Sequence, residues 1–403
     1  MEEKSNGLPL SFYVVAVSSF LFALTRNVTQ PIFTLYVLDL GADLLQVGLV
    51  VSMQSFLMIV SRIPLTMVAE RIGYRRMFLI AFLVQTTSPI MYAFIPGPIW
   101  LYVIPFYEII ASGSFNQLAM TTASNMAPPY RQGDAIGRYM TFMTMGMFVG
   151  PLITSALLNY FNYSQLYLAA SLFPFIGFLL FLRYIPKEGV FERAEVEAGE
   201  EEEIGVLDSL KVILRDRNVL ILTLIRATYS MANTMFTTLF VLYAVSIGFT
   251  ESQAALLFSM VGFANAFSKL PAGRIADRLG SKKVLMAAFT ALILVYLTMS
   301  FSRGLVAIMI SLILFGVCWG TRAVTEWALL AVTVPPKTKV MAMSYLSSIW
   351  GVGSMLGGFL VGVLGDSLPF STIFILLALI NVPAVPAIYF IKGKANGNDS
   401  RSH

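Results

Sequence analysis

The chain has 403 residues, of which 57% are hydrophobic and only 12% are charged, and its mean hydropathy is +0.77. Soluble domains carry roughly 25% charged residues, so this composition excludes a soluble globular protein and indicates a membrane protein. The single cysteine, Cys318, and the single histidine, His403, exclude an intrachain disulfide and metal sites built from several such residues. We therefore expect no metal site and no cofactor.

Twelve mostly apolar runs are long enough for spanning helices, which need about 20 residues each. They cover approximately 11–38, 44–69, 75–95, 98–127, 133–161, 164–185, 217–247, 251–275, 281–302, 304–332, 338–365 and 370–391. A polar segment that contains the sequence GEEEE at 199–203 separates the sixth run from the seventh. This pattern predicts an all-α membrane protein with two six-helix bundles, at 1–185 and 217–403, joined by an acidic cytoplasmic linker at 186–216.

The positions of the basic residues predict the orientation in the membrane. Of the 27 Lys and Arg residues, all but four lie in the termini, in the even-numbered links or at helix ends beside them. The exceptions are Arg303 in an odd-numbered link and Arg26, Arg226 and Arg322 within runs. Because basic loops stay on the cytoplasmic side, we expect a multi-pass protein of the cell membrane with both termini in the cytoplasm. The basic sequence pI of about 9.2 then reflects topology, and we expect no nucleic-acid partner.

An internal repeat relates the two halves of the chain. An offset of 207 positions places identical residues opposite one another from the first run to the fifth. The aligned pairs are Tyr36 with Tyr243, Gly41 with Gly248, Gln46 with Gln253, Pro64 with Pro271, Arg71 with Arg278, Gly73 with Gly280, Gly113 with Gly320, Pro128 with Pro335, Pro129 with Pro336, Gly146 with Gly353 and Gly150 with Gly357. Since the offset spans an even number of helices, the repeat predicts two pseudo-symmetric halves related by an axis along the membrane normal.

The links after the second and eighth runs contain similar motifs, in which basic residues and one carboxylate surround a glycine. The residues are Glu70, Arg71, Gly73, Arg75 and Arg76 in the first link, and Gly273, Asp277, Arg278, Gly280, Lys282 and Lys283 in the second. The second motif resembles an intact copy of the major facilitator superfamily signature, and the first departs from it at Thr66 and Glu70. This resemblance covers essentially the whole chain and implies a twelve-helix secondary transporter that works by alternating access.

In that family the motif's acid helps to lock one face of the transporter shut. The resemblance implies that Glu70 faces the start of the eleventh run and Asp277 the start of the fifth. A carboxylate near a helix N-terminus is favourable in any case, and Gly73 and Gly280 permit the turn between two spans. A loop that only anchors the topology is the alternative.

Four residues of the fifth run resemble the glycine–proline motif of proton-coupled exporters in this superfamily. They are Gly137, Gly146, Gly150 and Pro151. The usual closing glycine pair is replaced by Thr154 and Ser155, so the match is partial. Glycines four residues apart also let helices approach closely, and proline permits a bend, so plain helix packing explains the pattern equally well.

Five ionisable residues lie deep within runs, and an ionisable residue in the membrane usually faces a cavity or a partner. They are Arg26, Glu108, Arg226, Arg322 and Glu326. Their four runs are those that line the central cavity in the resembled family. Similar depth predicts an Arg26–Glu108 pair, and depth with i,i+4 spacing predicts an Arg226–Glu326–Arg322 cluster. Glu108 and Glu326 are the predicted proton carriers, and static ion pairs are the alternative.

Polar and aromatic residues on the same four runs are candidates for a substrate cavity, with helix packing as the alternative. They are Asn27, Gln30, Asn116, Gln117, Tyr229, Asn233 and Trp319. Resemblance to the drug:proton antiporter branch predicts proton-coupled efflux of small hydrophobic or amphiphilic compounds by a monomer. The excess of one buried positive charge keeps a proton-coupled permease for a small organic anion, phosphate ester or sugar as the alternative. A non-transporting receptor is a third possibility, and without a Walker, HExxH or GxSxG motif we expect no enzyme.

Overall fold

The computed structural model describes residues 8–113, 115–128, 132–185, 214–334 and 339–391, without the side chains of 63, 70, 116, 117, 133, 339 and 340. Its helices are α1 (Leu10–Asp39), α2 (Leu44–Ile72), α3 (Tyr74–Ala93), α4 (Ile104–Ser112), α5 (Phe115–Asn125), α6 (Gln132–Leu157), α7 (Tyr163–Tyr184), α8 (Arg217–Ser246), α9 (Glu251–Leu279), α10 (Ser281–Phe301), α11 (Leu305–Thr333), α12 (Lys339–Leu364), α13 (Phe370–Asn381) and α14 (Ala384–Tyr389). A short 3₁₀ helix, Pro98–Tyr102, precedes α4. Most of the predicted linker lies outside the described residues.

Ten helical segments of the described chain are long and apolar enough to cross a membrane. The third predicted run forms α3, which has 20 residues, and the fourth forms the 3₁₀ helix with α4 and α5. These elements account for all twelve predicted runs. Several helices continue beyond the apolar run that predicted them, and α2 and α9 each have 29 residues.

One predicted run is broken where the sequence expectation was a single helix. Between α13 and α14 the break falls at Pro383, which has no backbone N–H to continue the helical hydrogen bonds. This break thus has a local cause that hydropathy does not record. The parts α4 and α5 of the fourth run lie on either side of residue 114, which is outside the described residues. Gly113, just before it, packs closely on α2, where a Cβ would lie 2.6 Å from the Leu65 side chain.

The internal repeat extends to individual hydrogen bonds. The Tyr36 hydroxyl donates to the Tyr92 carbonyl at 2.5 Å, and the repeat-related Tyr243 hydroxyl donates to the Met299 carbonyl at 3.3 Å. Both acceptors lie 56 residues after their donors. A difference of 207 therefore relates the acceptors as well as the donors, so the two halves share tertiary contacts and not only sequence.

Helix ends repeat in the same way. The first turns of α2 and α9 both carry a capping box, in which the N-cap side chain and a glutamine three residues later satisfy backbone N–H groups reciprocally. Gly73 and Gly280, which end these helices, have φ of +88° and +87°. This left-handed region favours glycine, so both predicted turns depend on the residue that the sequence provides.

The halves meet along two seams, which we define as the contacts of α2 with α12 and of α6 with α9. The seams are tight where α2 and α9 begin. A Cβ at Gly48 would lie 2.3 Å from the Gly362 backbone nitrogen, and the Ser252 hydroxyl donates to the Ser155 carbonyl at 2.7 Å. In the same region the Thr34 hydroxyl donates across the halves to the Thr238 carbonyl at 2.7 Å. We call this the closed end.

The opposite end of the molecule is the one where α2 and α9 terminate. Among the described residues, the hydrogen bond between Lys269 and Thr144 is the polar contact between the halves that lies nearest to this end. No hydrogen bond or ion pair of described residues joins the halves beyond it. We call this end the open end; it carries Gly73, Gly280 and the basic links. If these links are cytoplasmic, as predicted, the conformation is inward-facing.

Candidate functional site

A cavity of about 350 Å³ lies between the two halves. Residues from α1, α2, α3, α4, α6 and α7 in the first half and from α8, α11 and α12 in the second contribute to its wall. Six of the residues predicted from the sequence line it: Arg26, Asn27, Gln30, Glu108, Asn233 and Trp319. The cavity is therefore built where the sequence placed a central path.

The remaining predicted site residues are placed differently. Four of them are buried in the second half and do not line this cavity: Tyr229, Arg226, Arg322 and Glu326. The side chains of Asn116 and Gln117, on α5, lie outside the described part of the chain, so their predicted contact with substrate stays a prediction.

Glu108 projects from α4 into the cavity and is held by hydroxyl groups from α3. The Ser88 hydroxyl donates to Oε1 at 2.7 Å, and the Tyr92 hydroxyl donates to Oε2 at 3.3 Å. These donors precede Glu108 by 20 and 16 residues, on the neighbouring helix. Hydroxyl groups can bind a carboxylate and can also accept from a protonated carboxyl, so this setting suits either state of Glu108.

The predicted Arg26–Glu108 ion pair is not formed in this conformation. Both side chains line the cavity, but no Arg26 nitrogen lies within 4.0 Å of a Glu108 oxygen among the described ion pairs. The Arg26 guanidinium is exposed to the cavity and has no hydrogen-bond partner within the described chain. Equal depth in the membrane was the reason for predicting the pair, but depth does not fix the direction in which each side chain leaves its helix.

The second predicted cluster is present. Arg226 Nη1 lies 2.6 Å from Glu326 Oε1, and Arg322, one turn before Glu326 on α11, binds Oε2. The side chains of all three residues are almost completely buried. Aromatic rings cover both guanidinium groups: Trp327 lies 4.4 Å from Arg226 Cζ, and Tyr229 lies 4.0 Å from Arg322 Cζ. The cluster keeps one excess positive charge.

Two contacts connect this cluster to the cavity. Trp350 lines the cavity, and its ring lies 5.4 Å from Arg322 Cζ and 5.9 Å from Arg226 Cζ. Asn233 also lines the cavity, and its Oδ1 accepts from the hydroxyl of Tyr229 at 3.4 Å. The sequence analysis did not select Trp350. Its position next to Gly351, a tight point of the α2/α12 seam, becomes evident only once the helices are packed.

The sequence analysis also assigned two basic residues to helix ends that in fact lie within the membrane-spanning helices. Arg62 and Lys269 are both half-buried and lie ten residues before the ends of α2 and α9. Lys269 Nζ donates to Thr144 Oγ1 across the α6/α9 seam at 3.0 Å. The signal that could have found them was the repeat, because the offset of 207 aligns Arg62 with Lys269.

Comparison with known proteins identifies the family. A family model described as Major Facilitator Superfamily matches residues 15–320 and 222–402, which together extend over nearly the whole chain. The chain belongs to the Major Facilitator Superfamily. It is therefore a multi-pass membrane transporter and not an enzyme, and it has the superfamily's all-α fold of twelve transmembrane helices in two pseudo-symmetric six-helix bundles.

Full-length relatives of this superfamily member are distant. An uncharacterized MFS-type transporter of Methanocaldococcus jannaschii is 24% identical over 377 residues, which cover 91% of this chain and 96% of the relative. The multi-drug resistance efflux pump PmrA of Streptococcus pneumoniae is 24% identical over 360 residues, 86% of this chain and 88% of that pump.

Solved structures give the same fold. The nucleoside transporter NupG has a TM-score of 0.77 at 17% identity and covers 95% of this chain and 99% of its own. A bacterial homolog of the human lysosomal transporter Spinster, in an inward-facing and occupied conformation, has a TM-score of 0.78 at 13% identity, with 94% of this chain and 96% of its own covered. At these identities the similarity concerns the fold alone.

The superfamily signature loops lie at the open end. Asp277 is exposed and makes no ion pair or hydrogen bond with any described residue. Its predicted partner, the start of the fifth run at 133, lies in the first turn of α6, and no hydrogen bond or ion pair joins Asp277 to the described residues there. The side chain of Glu70 falls outside the described part of the chain. The predicted contacts that would lock this face thus stay a prediction for the conformation in which the open end closes.

The glycine–proline motif of the fifth run packs against α1. A Cβ at Gly150 would lie 2.5 Å from Asn27 Cβ, and one at Gly146 would lie 3.2 Å from Asn27 Nδ2, whereas Gly137 has nothing within 4 Å. The Thr154 hydroxyl, one turn later, donates to the Val28 carbonyl at 2.6 Å. Two of the three glycines therefore have a packing role that holds the cavity residue Asn27 in place.

Proposed function

We propose that this transporter is a proton-driven exporter of small hydrophobic or amphiphilic compounds, and that Glu108 carries the proton. The observation that carries the proposal is the setting of Glu108: its carboxyl lies on the cavity wall, bound by the Ser88 and Tyr92 hydroxyls and by no described cation. A carboxyl in this setting can be reached by a proton and by substrate from the same space.

Antiport follows if protonated Glu108 and bound substrate exclude one another. In the conformation open to the cytoplasm, Glu108 releases its proton and substrate enters; in the conformation open to the outside, substrate leaves and Glu108 is protonated again. Each transition moves the halves about the two seams, which close at one end as they open at the other. The proton gradient then drives export because no direct use of ATP is expected from the sequence.

The apolar part of the cavity wall supports an amphiphilic substrate. Phe33, Met58, Met147, Trp319 and Trp350 contribute aromatic and thioether side chains to a wall that also contains polar groups. Sites for small molecules are typically lined in this way, and methionine adapts to ligands of different shape. The distant relative PmrA is named as a multi-drug resistance efflux pump, which is consistent with this substrate class.

A proton-coupled permease for a small organic anion, phosphate ester or sugar is the second candidate, and the free Arg26 guanidinium favours it. An anionic group on Arg26 would make protonation of nearby Glu108 more favourable, so proton and substrate would bind together. The two candidates therefore differ in the direction of substrate movement relative to the proton. The exporter moves substrate out as a proton moves in, and the permease moves substrate in together with the proton.

The proposed topology places both termini and the basic links in the cytoplasm, where the signature acids would close the open end. One chain contains the whole cavity, which supports a monomer as the functional unit. Asp277 would then act only in the conformation that is closed to the cytoplasm, and its exposure here is consistent with an inward-facing state.

The first test measures proton-driven uptake of radiolabelled chloramphenicol, an uncharged amphiphile, into inverted membrane vesicles with an acidic lumen. We expect uptake by the wild type and loss of uptake with Glu108→Gln. Exchange of labelled for unlabelled compound without a proton gradient should persist in Glu108→Gln, because the cavity itself is retained.

Asp366→Asn is the matched control, since it neutralises an exposed carboxylate at the closed end, away from the cavity. It should leave proton-driven uptake unchanged. Full proton-driven uptake by Glu108→Gln would remove Glu108 from the coupling mechanism, and efflux from these vesicles together with protons would favour the permease.

A further inference from the structure

Two cations related by the internal repeat lie on the two seams between the halves. Arg62 on α2 and Lys269 on α9 are 207 positions apart, and each lies ten residues before the end of its helix. At 1.5 Å per residue this places both about 15 Å from the open ends of their helices. Because the repeat axis runs along the membrane normal, the two residues lie at similar heights, one on each of the two helices α2 and α9 that form the seams.

Lys269 reaches the wall of the path directly. Its Nζ lies 3.0 Å from Thr144 Oγ1, and Thr144 lines a second cavity of about 270 Å³. This second cavity shares Arg26, Asn27 and several other residues with the central cavity. The ammonium group of Lys269 therefore lies at the edge of the space that leads to the central cavity.

Arg62 continues the cavity-lining face of α2. It follows Met58 by four residues and Ser55 by seven, and both of these line the central cavity. Its half-buried guanidinium has no hydrogen-bond or ion-pair partner among the described residues. Arg62 is the last residue of the apolar span Leu44–Arg62, and at this boundary an unpaired charge is more favourable towards the water of the path than towards lipid.

The charges along the path are strongly unbalanced. Arg26, Arg62 and Lys269 form no ion pair with a described residue, and Glu108 is the carboxylate that opposes them on the cavity wall. The buried cluster behind the wall adds one further positive charge. At the open end Asp134 pairs with Arg138 at 2.9 Å, and both are exposed, so solvent and salt screen them.

We infer that Arg26, Arg62 and Lys269 form a charge filter that admits uncharged and anionic amphiphiles and rejects lipophilic cations. A path lined by one sign of charge focuses its field because its walls have a low dielectric constant, and it changes the local concentration of charged ligands by about 10- to 1000-fold. The inference rests on the proposed function only in taking this cavity as the substrate path. It holds for either direction of substrate movement relative to the proton.

The test measures binding, so its outcome is separate from that of the proton-driven transport assay. Purified protein in a neutral detergent is titrated with rhodamine 123, a cation; fluorescein, an anion of similar shape; and uncharged chloramphenicol. Quenching of tryptophan fluorescence reports binding, since Trp319 and Trp350 line the cavity. We expect the cation to bind at least about tenfold more weakly than the anion.

Arg62→Gln combined with Lys269→Gln should reduce this anion-to-cation preference by about tenfold, because two of the three unpaired charges are removed. Arg62→Lys combined with Lys269→Arg keeps both charges and should keep the preference. Thr144→Val removes the hydrogen bond of Lys269 without changing charge, and should also keep it.

Equal binding of the cation and the anion by the wild type would overturn the filter, as would a preference that survives the double glutamine change. If that variant does not fold, the salt dependence of the wild type decides, because a field in an aqueous path is screened by salt. The preference should fall as ionic strength rises; a preference that is independent of salt contradicts the inference.

Discussion

Glu108 and Glu326 are both carboxylates on spanning helices, but their surroundings differ in almost every respect. Glu108 lies on the cavity wall and accepts from two hydroxyl groups at 2.7 and 3.3 Å. Glu326 is fully buried behind that wall, and two arginines bind its two oxygens. Glu108 is therefore accessible from the cavity, whereas Glu326 is enclosed by arginines and aromatic rings.

The difference shows that the two repeats share their helix packing but differ in the positions of their carboxylates. Hydrogen bonds, caps and turns recur at an offset of 207, but the residue equivalent to Glu108 is Phe315 and the one equivalent to Glu326 is Ala119. Each half thus has one carboxylate at a place where the other half has none. The proposed function places proton exchange in the first half, whereas the second half has a buried ion cluster behind the cavity wall. The sequence suggested both acids as carriers, and both roles stay predictions.

The largest expected effect is that of Glu326→Leu. It leaves Arg226 and Arg322 buried without their carboxylate, and breaking a buried ion pair in this way typically costs about 3–5 kcal/mol. We expect a large loss of thermal stability in detergent and little protein in the membrane. The corresponding change in the first half, Glu108→Leu, removes no ion pair formed in this conformation and should cost much less.

A compensated variant separates the charge effect from packing. Glu326→Leu combined with Arg226→Met and Arg322→Leu replaces the whole cluster with apolar residues and should recover most of the lost stability. If the single change Glu326→Leu is as stable as Glu108→Leu, the contrast between a fixed and an exchangeable carboxylate is wrong.

A smaller effect is expected from the wall between the cluster and the cavity. Trp350→Leu removes two ring contacts with guanidinium groups, each worth about 0.5–2 kcal/mol, so we expect a loss of about 2 kcal/mol beyond ordinary truncation. Trp319→Leu is the matched control, because Trp319 lines the same cavity but contacts Phe315 and no described arginine through its ring. Thermal unfolding in detergent measures the difference.

The aromatic ring itself can be tested at the same position. Trp350→Phe keeps a ring that faces the arginines and should retain more stability than Trp350→Leu. Equal losses for Trp350→Leu and Trp319→Leu would mean that the ring does not stabilise the cluster.

Sequence reasoning was successful where one helix or one repeat carries the information. Hydropathy gave the spans, the offset gave the pseudo-symmetry, and i,i+4 spacing placed Arg322 beside Glu326. It failed where the answer depends on the direction of a side chain between helices: Arg26 does not pair with Glu108, whose partners come from α3. Arg62 and Lys269 were counted beside helix ends although both lie within the predicted runs 44–69 and 251–275. Their charge was taken as a mark of the link that follows.

The smallest effect is the one that reports most directly on the state of Glu108. A double-mutant cycle of Ser88→Ala and Glu108→Gln measures the free energy that couples the hydroxyl to the carboxyl. A hydrogen bond to a charged group is worth about 1.5–3 kcal/mol and one between neutral groups about 1 kcal/mol. The coupling should therefore fall as pH is lowered and Glu108 takes up its proton.

The same cycle in the second half, Arg226→Met with Glu326→Gln, should give a coupling that does not change over that pH range. Buried arginines bind both oxygens of Glu326, and the cluster does not line the cavity, so we expect its contacts to be independent of the state of the path. A pH-independent coupling at Ser88–Glu108 together with a pH-dependent one at Arg226–Glu326 would reverse the assignment. The proton carrier would then be Glu326, behind Trp350, and its protonation could affect the cavity only through the contacts of Trp350.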